Sequence, residues 1–298
     1  GESSLPVTMP ITYDQVRCIT AQLYEWSLKK IPEDTKAALA SAERVERNAV
    51  GRKTLILMQE SAAAAEAANR FVCSDSGIPV YFIKFGSRVR FEGDIRQAIV
   101  DGFDELAQTI DPPLLEHVTN PLTLKRGHRG KDMPIVTWDL LPGEADYIDI
   151  TCSPKALGSG RWAALQLFSF PSLDTIEKYV LECVIPAGSQ ACPPLVVGVG
   201  IGGTFDYAAK LAKEAMLRPF GQKNPEPILA EMEERLLKAV NATGFGPMGT
   251  GGDSTAMAVH VNYAAGHGFT PVAVAFNCWI NRRTRARIHN DGRVEVVE

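Results

Sequence analysis

The chain has 298 residues, 45% of them apolar and 22% charged, so a wholly disordered chain is excluded. With 31 Lys and Arg against 35 Asp and Glu the net charge is −4, which argues against a broad nucleic-acid surface because phosphate binding needs clustered cations. The length suits one large domain or two, and no apolar run approaches the ~20 residues that span a bilayer.

The start, Gly1–Pro6, has neither the basic residues nor the apolar stretch of a secretory signal. Lacking Met, it is read as processed or trimmed. Six cysteines in a chain this long do not read as a disulfide scaffold, so a reducing, cytoplasmic compartment is expected.

In chain order, Val16, Ile19, Leu23 and Trp26 recur at helical spacing and predict a helix over 13–30, with Thr12 or Asp14 as cap. Pro32 opens a second helix through Arg47, since proline is favoured at the first helical position. A third is expected over 54–70, around the alanine run Ala62–Ala65. A turn at Cys73–Gly77 precedes a strand over 78–85, and a helix over 94–110 stops at Pro112-Pro113. The stretch from Asn120 to Met133 is basic and irregular. Strands follow at 135–140, 147–152 and 162–168, a helix at 173–184, a strand at 195–199, and helices at 205–217 and 227–240. A glycine-rich loop, Gly244–Gly252, precedes strands at 257–264 and 272–276. The expected fold is mixed α+β, one domain over 1–298. Its N-terminal helical layer (about 11–70) packs on a mixed αβ core (about 71–298).

Gly198-Val199-Gly200-Ile201-Gly202-Gly203 satisfies the dinucleotide pattern G-x-G-x-x-G after an apolar strand and before a helix. The second parallel strand ending in Asp or Glu, which such a site also needs, is absent. A tight strand-to-helix turn and an anion-binding turn for a carboxylate substrate are the alternatives.

Cys18, Cys152 and Cys183 sit among apolar neighbours and read as small buried hydrophobes. Cys73, Cys192 and Cys278 sit in turns, too far apart in sequence for any short metal motif. If the three converge, their thiolates can hold a 4Fe–4S cluster and leave one iron without a protein ligand. That iron would act as a Lewis acid toward a substrate hydroxyl and carboxylate.

Three segments carry a resemblance. Cys73-Ser74-Asp75-Ser76-Gly77 looks like a Cys-Gln-Asp-Thr-Gly turn. Ala191-Cys192-Pro193-Pro194 runs into the glycine strand, and Met216-Leu217-Arg218-Pro219 closes the helix after it. Asn277-Cys278-Trp279-Ile280-Asn281-Arg282-Arg283 looks like a Cys-Trp-Ala-x-Arg-Arg segment. Together they resemble the class I iron–sulfur hydro-lyases, the oxygen-sensitive fumarate hydratases and L-tartrate dehydratases. Lys84–Arg88 and Val136–Asp139 bring the likeness nearest to tartrate dehydratase α subunits. The likeness runs from about Tyr13 to Arg287.

The resemblance implies the N-terminal-domain fold of class I fumarases. It also implies a 4Fe–4S cluster on Cys73, Cys192 and Cys278, with Asp75 facing the substrate as an acid/base group. His267 falls where the family places a histidine near the substrate; a surface or satisfied core histidine is the alternative. Arg282 and Arg283 read as salt-bridged arginines or as charge compensation for thiolates.

Three departures affect the substrate half. Ser74 replaces the glutamine and removes an amide donor. Pro112-Pro113-Leu114-Leu115-Glu116 lacks the arginine expected to clamp a substrate carboxylate, and Glu116 would repel a dicarboxylate; Arg126 or Arg129 is the substitute from the basic loop. The substrate loop, Lys155–Arg161 with Gly158 and Ser159, lacks its usual Glu-Asn, and Arg161 is either a carboxylate fork or a solvated arginine.

The likeness further implies reversible water elimination from a small 2-hydroxy dicarboxylic acid. In the single-chain members another domain follows, so ending at Glu298 implies a separate β chain and an α–α dimer within a heterotetramer, with no role for nucleic acid or membrane. The alternatives are a non-catalytic paralogue that keeps the fold as a binding or partner subunit, and a nucleotide-binding oxidoreductase domain.

Overall fold

The computed structural model describes residues 9–297; the Gly1–Pro6 segment read for targeting lies outside them. The chain begins with β1 (Ile11–Thr12), α1 (Tyr13–Lys29), α2 (Glu33–Val45) and α3 (Ala49–Ala67). Next come β2 (Val80–Phe85), β3 (Phe91–Glu92), α4 (Ile95–Thr109), β4 (Val118–Thr119) and β5 (Arg126–Gly127). Then follow β6 (Ile135–Leu140), β7 (Tyr147–Cys152), the one-turn α5 (Leu157–Gly160), β8 (Ala164–Ser169) and α6 (Leu173–Ala187). The rest is β9 (Leu195–Gly202), α7 (Phe205–Ala215), α8 (Pro227–Ala242), β10 (Ala256–Ala264), β11 (Phe269–Asn277), β12 (Thr284–His289) and β13 (Val294–Val297). These elements divide into two units, and the chain passes between them after Lys30, Ala64, Lys155 and Asn281.

One unit holds the described residues up to Lys30, Ala65–Lys155 and those from Arg282 on. Its five-stranded sheet has the order β13-β12-β7-β2-β6; β2 and β6 are parallel and the remaining pairs antiparallel. Helix α1 begins in a capping box: Thr12 Oγ1 accepts from Gln15 N–H, while the Gln15 side chain accepts from Thr12 N–H. Its apolar stripe, Val16, Ile19 and Leu23, joins Ile99 and Phe103 of α4 over Tyr81, Ile83, Ile148 and Ile150 of the sheet. Cys152 is buried in this core, but Cys18 is exposed on α1, because the helical period turns it away from Val16 and Ile19. That corrects its reading as a core thiol.

The other unit holds Ile31–Ala64 and Ala156–Asn281 around a four-stranded sheet of order β10-β9-β11-β8. Strands β9 and β10 are parallel, while β11 is antiparallel to both β9 and β8. Val197 and Val199 face α6 and α8 in one core, whereas Val196 packs with Ala208 and Ala212 of α7 on the opposite face. Helix α3 starts at Ala49 rather than near Thr54, because the Asn48 side chain accepts from the N–H groups of Val50 and Gly51, both at 2.9 Å.

The glycine motif lies within the strand, which runs on to Gly202. A Cβ on Gly198 or Gly200 would overlap the carbonyl oxygens of Ala212 and Ala208, so these glycines let α7 lie directly on β9. The turn into α7 is made at Gly202 and Gly203, where φ is +86° and +66°. Asp206 occupies the start of α7: hydrogen bonds from the Thr204 hydroxyl and then from its own and the Tyr207 N–H hold its carboxyl below the usual range. Close packing and an internal carboxylate thus account for the motif, in place of a nucleotide or a substrate anion. No helix among the described residues is long and apolar enough to cross a membrane.

Candidate functional site

In the first unit the chain leaves α3, and Val72 N–H donates to the Leu28 carbonyl (2.9 Å), which sets up the turn Cys73–Gly77. Tyr24 Oη donates to the Gly77 carbonyl at 2.9 Å. Arg282 is 6% exposed and clamps the turn's backbone: Nη1 donates to the Asp75 carbonyl at 2.6 Å and Nη2 to the Cys73 carbonyl at 3.3 Å. Asp75 Oδ1 accepts from Gly77 N–H at 3.2 Å, closing an Asx turn. The same Oδ1 lies 3.2 Å from His117 Nε2. One residue before His117, the Glu116 carbonyl accepts from Arg126 Nε at 2.9 Å. This unit therefore gathers Cys73, Asp75, His117 and Arg282, with Arg126 tethered alongside; Ser74 is exposed at the turn.

In the second unit Cys192 precedes β9 and Cys278 follows β11. The register sets Val196 opposite Asn277, so both cysteines stand at the same end of the sheet. Trp279 N–H donates to the Cys192 carbonyl at 3.0 Å and ties the two loops together. Cys192 has a left-handed backbone with φ at +57°, between the 3-10 turn Gly188–Ala191 and the two prolines. The Cys278 turn is braced from within: Asn281 N–H donates to the Cys278 carbonyl (3.0 Å), Asn277 Nδ2 to Asn281 Oδ1 (3.2 Å), and Asn281 Nδ2 to Thr35 Oγ1 of α2 (3.1 Å). All three of these side chains are buried, so the turn is pre-set. Helix α5 leads into β8 at this same end, and a methyl placed on Gly158 would sit 3.9 Å from Cys192 Sγ. Ser159 is buried, and Arg161 is exposed with its guanidinium 4.8 Å above the Trp162 ring.

Residues 18–287 match the family model described as fumarate hydratase (fumerase). The chain belongs to the fumarate hydratase family. A putative L(+)-tartrate dehydratase subunit alpha of Methanocaldococcus jannaschii is 33% identical over 283 residues, covering 93% of this chain and 98% of that protein. The L(+)-tartrate dehydratase subunit alpha of Escherichia coli is 32% identical over 268 residues, 88% of this chain and 87% of its own length. The subunit of the same name in Shigella sonnei shows the same figures. The expected kind of enzyme, a hydro-lyase, and the expected mixed αβ fold of its family therefore stand.

Within this fumarate hydratase-family chain the expected site residues divide. Cys192, Cys278 and Gly158 come together in one unit; Cys73 and Asp75 come together in the other. His267 joins neither group. It is exposed in the loop that carries the chain from β10 past β9 to β11, stacked on Phe269 with ring centroids 5.4 Å apart. It stands at the far end of β9 from the cysteines, roughly 25 Å away by the rise of an eight-residue strand. Among the described residues no three His, Cys, Asp or Glu side chains form a group that could hold a single metal ion. None of the six cysteines is in a disulfide.

Two contributors escaped the sequence reading. His117 carries no local signal, since it lies beyond α4 in a stretch without periodicity. Arg282 was legible as a residue, but its grip on the Cys73 and Asp75 carbonyls depends on chain segments remote in sequence.

Proposed function

We propose that the chain is the cluster-binding α subunit of a hydro-lyase that adds or removes water on a small 2-hydroxy dicarboxylic acid, tartrate-like or malate/fumarate-like. A separate β chain completes it, in a heterotetramer built on an α–α dimer within the reducing cytoplasm. The observation that carries this reading is the nearly full-length likeness to chains named as tartrate dehydratase α subunits.

Cys73, Cys192 and Cys278 are assigned as ligands of a 4Fe–4S cluster. The donor chemistry fits: three thiols outside any disulfide, two of them held at one sheet end by the Trp279–Cys192 bond. A cubane needs no single-ion group, because each thiolate binds a different iron. Ser76 Oγ and Arg282 Nε, buried in the Cys73 turn, have no hydrogen-bond partner among the described residues, as polar groups kept for an anionic neighbour would. When bound, the cluster's open iron supplies Lewis acidity at the substrate hydroxyl.

This chain's own residues bind substrate and move a proton. Asp75, its backbone clamped by Arg282, exchanges a proton with the bound acid. Arg126 and Arg161 supply cationic forks for the two carboxylates, and Ser74, Gly158 and Ser159 line the substrate. The second proton-transfer group comes from the β chain. Anaerobic treatment with iron and sulfide, on protein co-produced with a β-type chain from the neighbouring reading frame, tests the assignment. About four irons per α chain and dehydration of tartrate or malate are expected. Absence of iron loading would sink the cluster assignment, and loading without turnover of any dicarboxylate would favour a binding paralogue.

A further inference from the structure

We propose that Glu46 is a positioning residue of the cluster site: its buried carboxylate anchors the glycine loop Gly244–Gly252, and that loop fixes the backbone on both sides of Cys192. The inference rests on the assignment of Cys192 as a cluster ligand. Five glycines give the loop the composition of an anion cradle, but its N–H groups are already engaged. Those of Gly249, Thr250, Gly251 and Gly252 donate back to carbonyls of the same loop at 2.8–3.3 Å. Gly246 N–H donates to Thr255 Oγ1 at 3.0 Å. A loop whose amides are satisfied within the chain is a platform rather than an anion site.

The platform bears on the Cys192 turn at two points. Met248 N–H donates to the Pro193 carbonyl at 2.7 Å, just after the cysteine. Just before it, Gly249 lies so close that a Cβ there would meet Ser189 Cβ at 2.0 Å. The left-handed φ of Cys192 is one that side-chain-bearing residues rarely adopt, and such a backbone persists only where its surroundings hold it. Glu46 holds the other end of the loop. It caps the end of α2 and is 0% exposed. Both of its carboxylate oxygens accept from Asp253 N–H, at 3.0 and 2.9 Å, and Oε1 also accepts from Asn48 N–H at 3.0 Å. Gly252 packs on the same carboxylate, since a Cβ there would lie 2.7 Å from Oε2. Bonds to a charged acceptor are the stronger ones, and removing a buried acceptor strands its donors.

Two measurements test this. In the full chain without cluster, Glu46→Ala should speed amide hydrogen exchange at Met248 about tenfold or more. Glu46→Gln, which keeps an oxygen for Asp253, should stay within about threefold of wild type. In the complex with the β chain, reconstituted anaerobically, Glu46→Ala should release iron to a chelator about tenfold faster. Glu46→Asp, too short to reach Asp253, should move both rates in the same direction, and it carries the test if the alanine variant does not fold. Ile176→Ala, a core truncation on α6, lowers stability without touching the loop and should move neither rate. Unchanged Met248 exchange in the Glu46 variants, or equal changes in Ile176→Ala, would each overturn the proposal. A wild-type complex that takes up no iron overturns the cluster assignment and this role with it. A loaded wild type whose iron release is indifferent to Glu46 overturns this role alone.

Discussion

Asp149 is 4% exposed and receives hydrogen bonds from Arg285 Nε (2.8 Å) and Nη2 (2.6 Å) and from Arg287 Nε (3.0 Å). Burial by itself would raise its carboxyl, but the hydrogen bonds and charges of the two arginines outweigh burial and hold it below the usual range. A carboxyl depressed in the folded state contributes stability above its unfolded value near 4 and loses it as pH falls through the folded value. Asp149→Asn should therefore cost about 2–3 kcal/mol at neutral pH, at the low end for a buried pair because the arginines are about a third exposed. It should also flatten the acid limb of a stability–pH curve, which denaturant titrations across pH 2–7 would check. The cysteines part at the same scale. Burial raises the Cys152 thiol far above its ordinary range, whereas Cys18 is exposed. Iodoacetamide on the native chain should label Cys18 and leave Cys152 untouched, read by peptide mass spectrometry.

Among the elements, α7 lies directly against β9, because Gly198 and Gly200 present no side chain to the helix. Gly200→Ala would force α7 off the sheet and should cost about 3 kcal/mol or more, seen as a lower urea midpoint with an unchanged slope. The same protein should give no response to NAD or NADP titration before or after the change. Helix α1 offers a milder case: Thr12→Ala removes the side-chain half of its capping box and should cost about 1 kcal/mol in the same assay. Periodicity and caps made α1, α2, α4 and α8 legible to within a few residues. The start of α3 escaped because its cap is Asn48, in a stretch without apolar period. The glycines of β9 escaped because a pattern shared by phosphate loops and by close packing is resolved only by the helix that lies on it.

For the whole molecule, each unit has its own core, and the sequence threads back and forth between them. The three cysteines assigned to the cluster are distributed accordingly, Cys73 in one unit and the other two in its companion. Cys73→Ser, Cys192→Ser and Cys278→Ser should each cut iron incorporation to well below four per chain, while Cys18→Ser and Cys183→Ser should leave it intact. Iron and sulfide analysis after anaerobic reconstitution distinguishes the two sets.

The sequence by itself determined the family, since three cysteine motifs in order survive without knowledge of any contact. It also determined most helices and strands, because spacing and capping are local. Only the tertiary structure decided what the motifs meet. The β9–β11 register puts Cys192 and Cys278 at one sheet end and His267 at the other. A loop beyond α4 brings His117 to Asp75. Arg282 closes over the Cys73 turn from near the far end of the chain. Sheet register and loop crossings are settled by packing between distant segments, and no local pattern encodes them.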